Sequence, residues 1–208
     1  MITLNNGTLQ AVIEERGAQL CSLTDLARGR ELLWEGNPAF WKYHAPVLFP
    51  FVGMVNGKEY RYGGRTYHIG QHGFARERDF HLTGSGQNWA AFSLEADEKT
   101  REIYPFDFQF TVTQTLKENR LIVEWDVENP SAEEPMYFSV GAHPAFRTPL
   151  LAEDAKNSCY VLFPGKKELN YILVDLEKVA ADPDHLYKMV QHYQNTYRQH
   201  HQSLQCCQ

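Results

Sequence analysis

The feature that most constrains this chain is a period-two alternation of apolar side chains. In Phe106-Asp-Phe-Gln-Phe-Thr-Val112 the residues Phe106, Phe108, Phe110 and Val112 fall on one face. In Leu121-Ile-Val-Glu-Trp-Asp-Val127 the same is true of Leu121, Val123, Trp125 and Val127. A strand sends successive side chains to opposite sides, so such runs bury one face and wet the other. The polar link Lys117-Glu-Asn-Arg120 between them predicts a hairpin. A second hairpin is predicted over 59–69, where Gly63-Gly64 supplies the positive φ angles of a two-residue turn. Further strands are expected at 9–14, 18–25, 31–34, 79–83, 89–95, 136–142 and 159–163. Helix signals are few: a short helix at 175–181 and a helical turn at Asn37-Pro-Ala-Phe-Trp41. The pattern is that of an all-β chain, an antiparallel sandwich or barrel.

Composition narrows the function classes. With 43% hydrophobic and 22% charged residues, the 208-residue chain can bury a core. Its net charge of -6 and the lack of any basic run argue against a nucleic-acid partner. No apolar stretch approaches a membrane span, and the start Met-Ile-Thr-Leu-Asn-Asn-Gly7 lacks the basic and apolar regions of a signal peptide. Cys21, Cys159, Cys206 and Cys207 fit no zinc spacing and read as reduced thiols, as expected of a cytoplasmic protein. Residues 1–188 read as one domain. From Met189 to Gln208 the chain is crowded with Gln, His and Tyr, and Val190 and Leu204 are its only aliphatics. Such a segment can bury little, so 189–208 is expected to be disordered or weakly helical.

Two histidines sit in unusual local settings. His72 lies in Gly70-Gln-His-Gly-Phe-Ala-Arg76, where glycines allow a tight backbone path that brings a ring close to a ligand. His143 lies in Val140-Gly-Ala-His-Pro-Ala-Phe146, where the proline holds the preceding residue extended at a strand end. His44, His68, His81 and His185 read as structural or surface residues, and His192, His200 and His201 belong to the atypical tail. A metal-dependent barrel of the cupin type would recruit His68, His72 and Glu77, but no His-x-His pair with a properly spaced Glu is present, so no metal is expected.

Three strings taken in order are more specific: Pro46-Val-Leu-Phe-Pro-Phe-Val-Gly-Met-Val-Asn-Gly-Lys-Glu-Tyr60, Gln71-His-Gly-Phe-Ala-Arg76 and Gly141-Ala-His-Pro-Ala-Phe146. Together they resemble the aldose 1-epimerase family, in particular its bacterial LacX-like branch; galactose mutarotases and hexose-6-phosphate epimerases are relatives. The resemblance implies an antiparallel β-supersandwich of the galactose mutarotase type, here incomplete, with the sugar in a cleft on one sheet. It implies that His143 is the general acid that protonates the ring oxygen, and that His72 hydrogen-bonds the sugar near that oxygen. It also implies substrate contacts from Arg76, Phe74 and Lys58. The chemistry is consistent with this. Anomer exchange opens the C1–O5 bond while a base takes the C1 hydroxyl proton and an acid protonates O5. Histidine, with an ordinary pKa near 6.5, suits that acid role. Proton transfer is the only hard step, so no cofactor is expected.

Two departures from the family pattern stand out. The arginine that mutarotases carry after the glycine of the first string is Met54 here, a gap that Lys58 or Arg76 would fill. The family's general base is a glutamate close to the C-terminus. Nothing after residue 188 resembles that region, and the last glutamates, Glu168 and Glu177, lack its local context. The chain thus reads as truncated or altered at its end, and impaired activity is expected. The alternative is a non-catalytic carbohydrate-binding domain. The expected partner is a hexose, with a neutral sugar ahead of a hexose phosphate even though Arg76 and Arg78 would admit one.

Overall fold

The computed structural model describes residues 1–131 and 133–148. The chain opens with an antiparallel sheet of four strands in sequential order, β1 (Ile2–Asn5), β2 (Leu9–Ile13), β3 (Leu20–Asp25) and β4 (Arg30–Glu31). Its first turn is set by side chains. Asn5 accepts from the Gly7 N–H, and Asn6 accepts from the N–H groups of Thr8 and Leu9. A short strand β5 (Val47–Leu48) follows, and then the hairpin of β6 (Glu59–Tyr62) and β7 (Arg65–His68). Gly63 and Gly64 occupy its turn with φ of 55° and 77°, the left-handed pair that the sequence called for.

The second large sheet holds β8 (His81–Ser85), β9 (Trp89–Glu95), β10 (Gln109–Lys117) and β11 (Arg120–Glu128), in the order β11-β10-β9-β8. The β10–β11 hairpin is in register from Gln109↔Glu128 to Lys117↔Arg120. Phe110, Val112, Gln114 and Leu116 alternate inward from β10 and are each no more than 2% exposed. They meet Leu4, Ala11 and Ile13 of the first sheet in one apolar cluster. The amide of Gln114 donates to the carbonyl of Ala18 at 2.8 Å, which gives a buried polar group on this face a partner.

The structure amends the expected elements in several places. Residues 98–103 form an α-helix, α1 (Glu98–Ile103), where no helix was expected. Its signal is a capping box: the Asp97 carboxylate accepts from Thr100 N–H at 2.6 Å while the Thr100 hydroxyl accepts from Asp97 N–H at 2.8 Å. Phe106 and Phe108 precede β10 instead of belonging to it, yet they are buried on the face the alternation assigned them. The strand expected at 31–34 shortens to β4 and an isolated bridge between Leu33 and Phe146. That expected at 136–142 reduces to β12 (Gly141–Ala142), paired with β5. Its neighbouring segment contains Pro50, which has no N–H to contribute to a ladder; Ser139 donates to the Pro50 carbonyl at 2.8 Å instead. The turn at 37–41 forms, with the Phe40 and Trp41 N–H groups both donating to Asn37. Cys21 is a free, half-buried thiol whose pKa burial pushes up to about 12. Among the described residues no helix is long and apolar enough to cross a membrane. The expectations for 159–163, 175–181, the tail 189–208 and the other three cysteines fall outside the described residues.

Phe110 is fully buried, with the rings of Phe49 and Phe80 at 4.7 and 5.8 Å. Phe110→Ala is expected to destabilise the chain by about 3–5 kcal/mol, whereas Glu124→Ala on the exposed face of β11 changes it by less than about 0.5. Urea titration of the two variants checks the contrast.

Candidate active site

The segment after β5 runs from the core to the surface. Phe49 is fully buried, and its ring lies 6.1 Å from Phe74, 6.0 Å from Tyr104 and 5.1 Å from Phe108. Its carbonyl accepts from the N–H groups of both Phe74 and Ala75, at 3.0 and 3.1 Å. Gly73 is pressed against the same carbonyl. A Cβ on this residue would lie 2.2 Å from the Phe49 oxygen, and its φ is +69°, so glycine is required there twice over. This close approach delivers His72 to the site in the left-handed region, at φ 66°. Gly53 then clamps it from both directions. The His72 N–H donates to the Gly53 carbonyl at 2.7 Å, and the Gly53 N–H donates to the His72 Nδ1 at 3.0 Å.

His143 arrives from the other side, just after β12. Its N–H donates to the Pro46 carbonyl at 3.1 Å, and Ala145 N–H donates to the His44 carbonyl at 2.8 Å, so the chain runs beside residues 44–48. The two imidazoles meet with ring centroids 5.7 Å apart and planes at 64°. Trp41 packs against His143, with ring centroids 5.0 Å apart. His143 is exposed and His72 half-buried, so the pair faces solvent. The pKa of His72 lies below the ordinary histidine value. Burial is the main cause, with the positive charges of Arg76 and His143 adding to it.

Arg76 leaves a 3₁₀ turn at Ala75–Glu77. Its guanidinium lies 4.8 Å from the Tyr43 ring and donates to the Gln71 carbonyl at 3.0 Å, while its buried Nε has no partner among the described residues. Glu77 ties the surrounding loops together. Its carboxylate accepts from the Tyr43 hydroxyl, from Arg16 at 3.0 Å and from Lys42 at 3.3 Å. These hydrogen bonds, Tyr43's foremost, pull its pKa down to about 2.

The other expected site residues are not drawn in. Phe74 was expected to touch substrate, but it is 6% exposed and packs among Phe49, Tyr104 and Phe108. It follows a glycine locked against Phe49, which turns its ring into the core, behind the site. Lys58 is exposed on a 3₁₀ turn at Asn56–Lys58, and its ammonium makes no hydrogen bond or ion pair among the described residues. Met54 is 52% exposed beside Gly53. Arg78 pairs with Asp97 at 3.3 Å. Among the described residues no group of three His, Cys, Asp or Glu, His68, His72 and Glu77 included, is gathered as a candidate metal site. His72 Nδ1 is taken by an N–H, and Glu77 by three donors. Conversely, Trp41, Tyr43 and the structural role of Glu77 escape a reading of the sequence. The only available signal was the aromatic alternation Trp41-Lys-Tyr43 upstream of the first family-like string.

The model of the aldose 1-epimerase family matches residues 1–196. The chain belongs to the aldose 1-epimerase family. It is 34% identical over 155 residues to the chromosomal protein LacX of Lactococcus lactis subsp. lactis, covering 72% of this chain and 52% of that protein. Among solved structures it resembles a galactose mutarotase related enzyme from Lactobacillus acidophilus, with a TM-score of 0.78 and 39% identity over 84% of this chain and 58% of the other. A galactose mutarotase-like protein from Lactobacillus casei gives a TM-score of 0.69 and 35% identity, over 79% and 60% of the two chains. This epimerase-family chain spans about half the length of the curated relatives it matches.

The Glu77 network makes a pH-dependent contribution to stability. A carboxylate whose folded pKa is depressed stabilises the fold above its ordinary pKa, and the effect is lost as pH falls from 4.5 towards 2. The side chain is 40% exposed, so solvent screening holds the contribution to on the order of 1 kcal/mol. Glu77→Gln is therefore expected to lower the urea midpoint at pH 7, with the gap from the parent closing near pH 2. An undiminished gap at pH 2 would rule out the charge as its source.

Proposed function

We propose that this chain interconverts the α and β anomers of a neutral hexose by acid/base ring opening. The observation that carries the reading is the imidazole pair, 5.7 Å apart and facing solvent, close enough for one pyranose to touch both rings. In this scheme His143 gives a proton to the ring oxygen as the C1–O5 bond breaks. The C1 hydroxyl loses its proton to a base, the aldehyde carbon turns, and the ring closes on the opposite face with the protons returned. His72 donates a hydrogen bond to the sugar near the ring oxygen. The Arg76 guanidinium, held over the Tyr43 ring, contacts a sugar hydroxyl. A neutral hexose takes precedence over a hexose phosphate because the charge of Arg78 is already matched by Asp97.

No base is assigned. Among the described residues neither imidazole is ion-paired with a carboxylate. A positioned base typically contributes about 10²–10⁴-fold, so a chain acting without one would fall short of a complete site by that factor. The second reading, a non-catalytic carbohydrate-binding domain, follows if no carboxylate serves as that base. Polarimetry on freshly dissolved α-galactose or α-glucose, set beside equilibrium sugar titration, separates the two. The expected result is a slow acceleration over buffer that disappears in His143→Ala. Rapid mutarotation abolished by His143→Ala would uphold the acid and show that a base operates. Sugar binding without any acceleration would leave the binding domain.

A further inference from the structure

Two adjacent imidazoles can in principle exchange roles as acid and hydrogen-bond donor, and the backbone beside His72 removes that freedom. We propose that the peptide N–H of Gly53 fixes His72 as a neutral imidazole with its hydrogen on Nε2. The inference rests on the reading above for what the two rings act upon, and on geometry for the rest.

A peptide N–H can only donate. Its partner at 3.0 Å is His72 Nδ1, which must therefore present a lone pair. A protonated imidazole carries hydrogen on both nitrogens, so protonation of His72 would set one N–H against another and strip the Gly53 amide of its acceptor. The backbone that carries the ring is itself held. The His72 main chain is held by its own N–H on the Gly53 carbonyl at 2.7 Å. Behind it Gly73 is wedged against the Phe49 carbonyl, and its N–H donates to Gly70 at 3.2 Å.

The surrounding charges act in the same sense. Burial disfavours the charged form of His72 most, and the charges of Arg76 and His143 add to it. Arg76 is held in place by Tyr43 and Gln71. His143, by contrast, is exposed and packs against Trp41. Gly53 is thus a positioning residue that acts through its backbone. Its φ is +87° and a Cβ there would meet open space, so the demand on this position is conformational, not steric. His72 in turn offers an Nε2–H donor to a sugar oxygen.

Long-range ¹⁵N NMR of the imidazoles in the ¹⁵N-labelled chain, without sugar, tests this directly. The expected spectrum shows His72 as the Nε2–H tautomer, unprotonated as pH falls through the ordinary histidine range, with a scalar coupling across the hydrogen bond from the Gly53 amide nitrogen to His72 Nδ1. His143→Gln removes the neighbouring charge and should leave tautomer, neutrality and coupling intact. An Nδ1–H tautomer, or an ordinary histidine titration of His72 in the parent or in His143→Gln, would overturn the proposal; the latter in the variant alone would assign the effect to His143. The readout needs no turnover, so silent polarimetry with an intact coupling would sink the proposed function and spare this inference, and the converse result would do the opposite.

Discussion

The carbonyl oxygen of Phe49 receives the N–H groups of Phe74 and Ala75 while its side chain fills the centre of the aromatic core. One residue thereby couples the packing of the sandwich to the loop that carries His72. The coupling demands a backbone approach so close that only glycine fits at position 73. Displacing Phe49 would move the 72–76 loop, because two of the loop's N–H groups have no other acceptor as near. The core is close-packed and resists such shifts, and its rigidity passes to the imidazole. Placing a reactive ring on a rigid element rather than on a free loop holds it near its productive geometry.

Charge is arranged around that rigid element in two separate parts. Glu77 gathers Tyr43, Arg16 and Lys42 and so neutralises the base of the site. Tyr43 in turn supports Arg76, whose cation bears on His72. The Trp41–Tyr43 segment therefore serves both candidate groups: Trp41 abuts His143, Tyr43 abuts Arg76, and the two aromatic rings touch edge to face at 5.6 Å. The two histidines share residue type but not surroundings. One accepts a backbone N–H and is half-buried, and the other stands in water against an indole. Differences of this kind are how one side-chain chemistry is divided into two roles.

Much of the fold was legible because its signals are local. The β10–β11 and β6–β7 hairpins follow from alternation and from turns whose residues carry the needed φ. The errors share a cause as well. Helix α1 was hidden because a six-residue helix has no room for a periodic pattern, and only its Asp97–Thr100 cap announces it. The run 136–142 has strand-like composition, but pairing is decided by the neighbour, and Pro50 cannot donate. Phe74 looked like a ligand contact beside a histidine, yet its orientation depends on where the Gly73–Phe49 contact turns the chain.

By itself the sequence determined the β class, the principal hairpins, the two histidine motifs and the glycines that let the backbone pass near them, because each depends on residues close together in the chain. Only the tertiary structure decided that His72 and His143 share one surface, that Trp41 abuts His143 while Glu77 holds Tyr43, and that Nδ1 of His72 meets the Gly53 amide. Those facts depend on segments brought together by burial of the core, and the free energy that selects them is summed over contacts no local window contains.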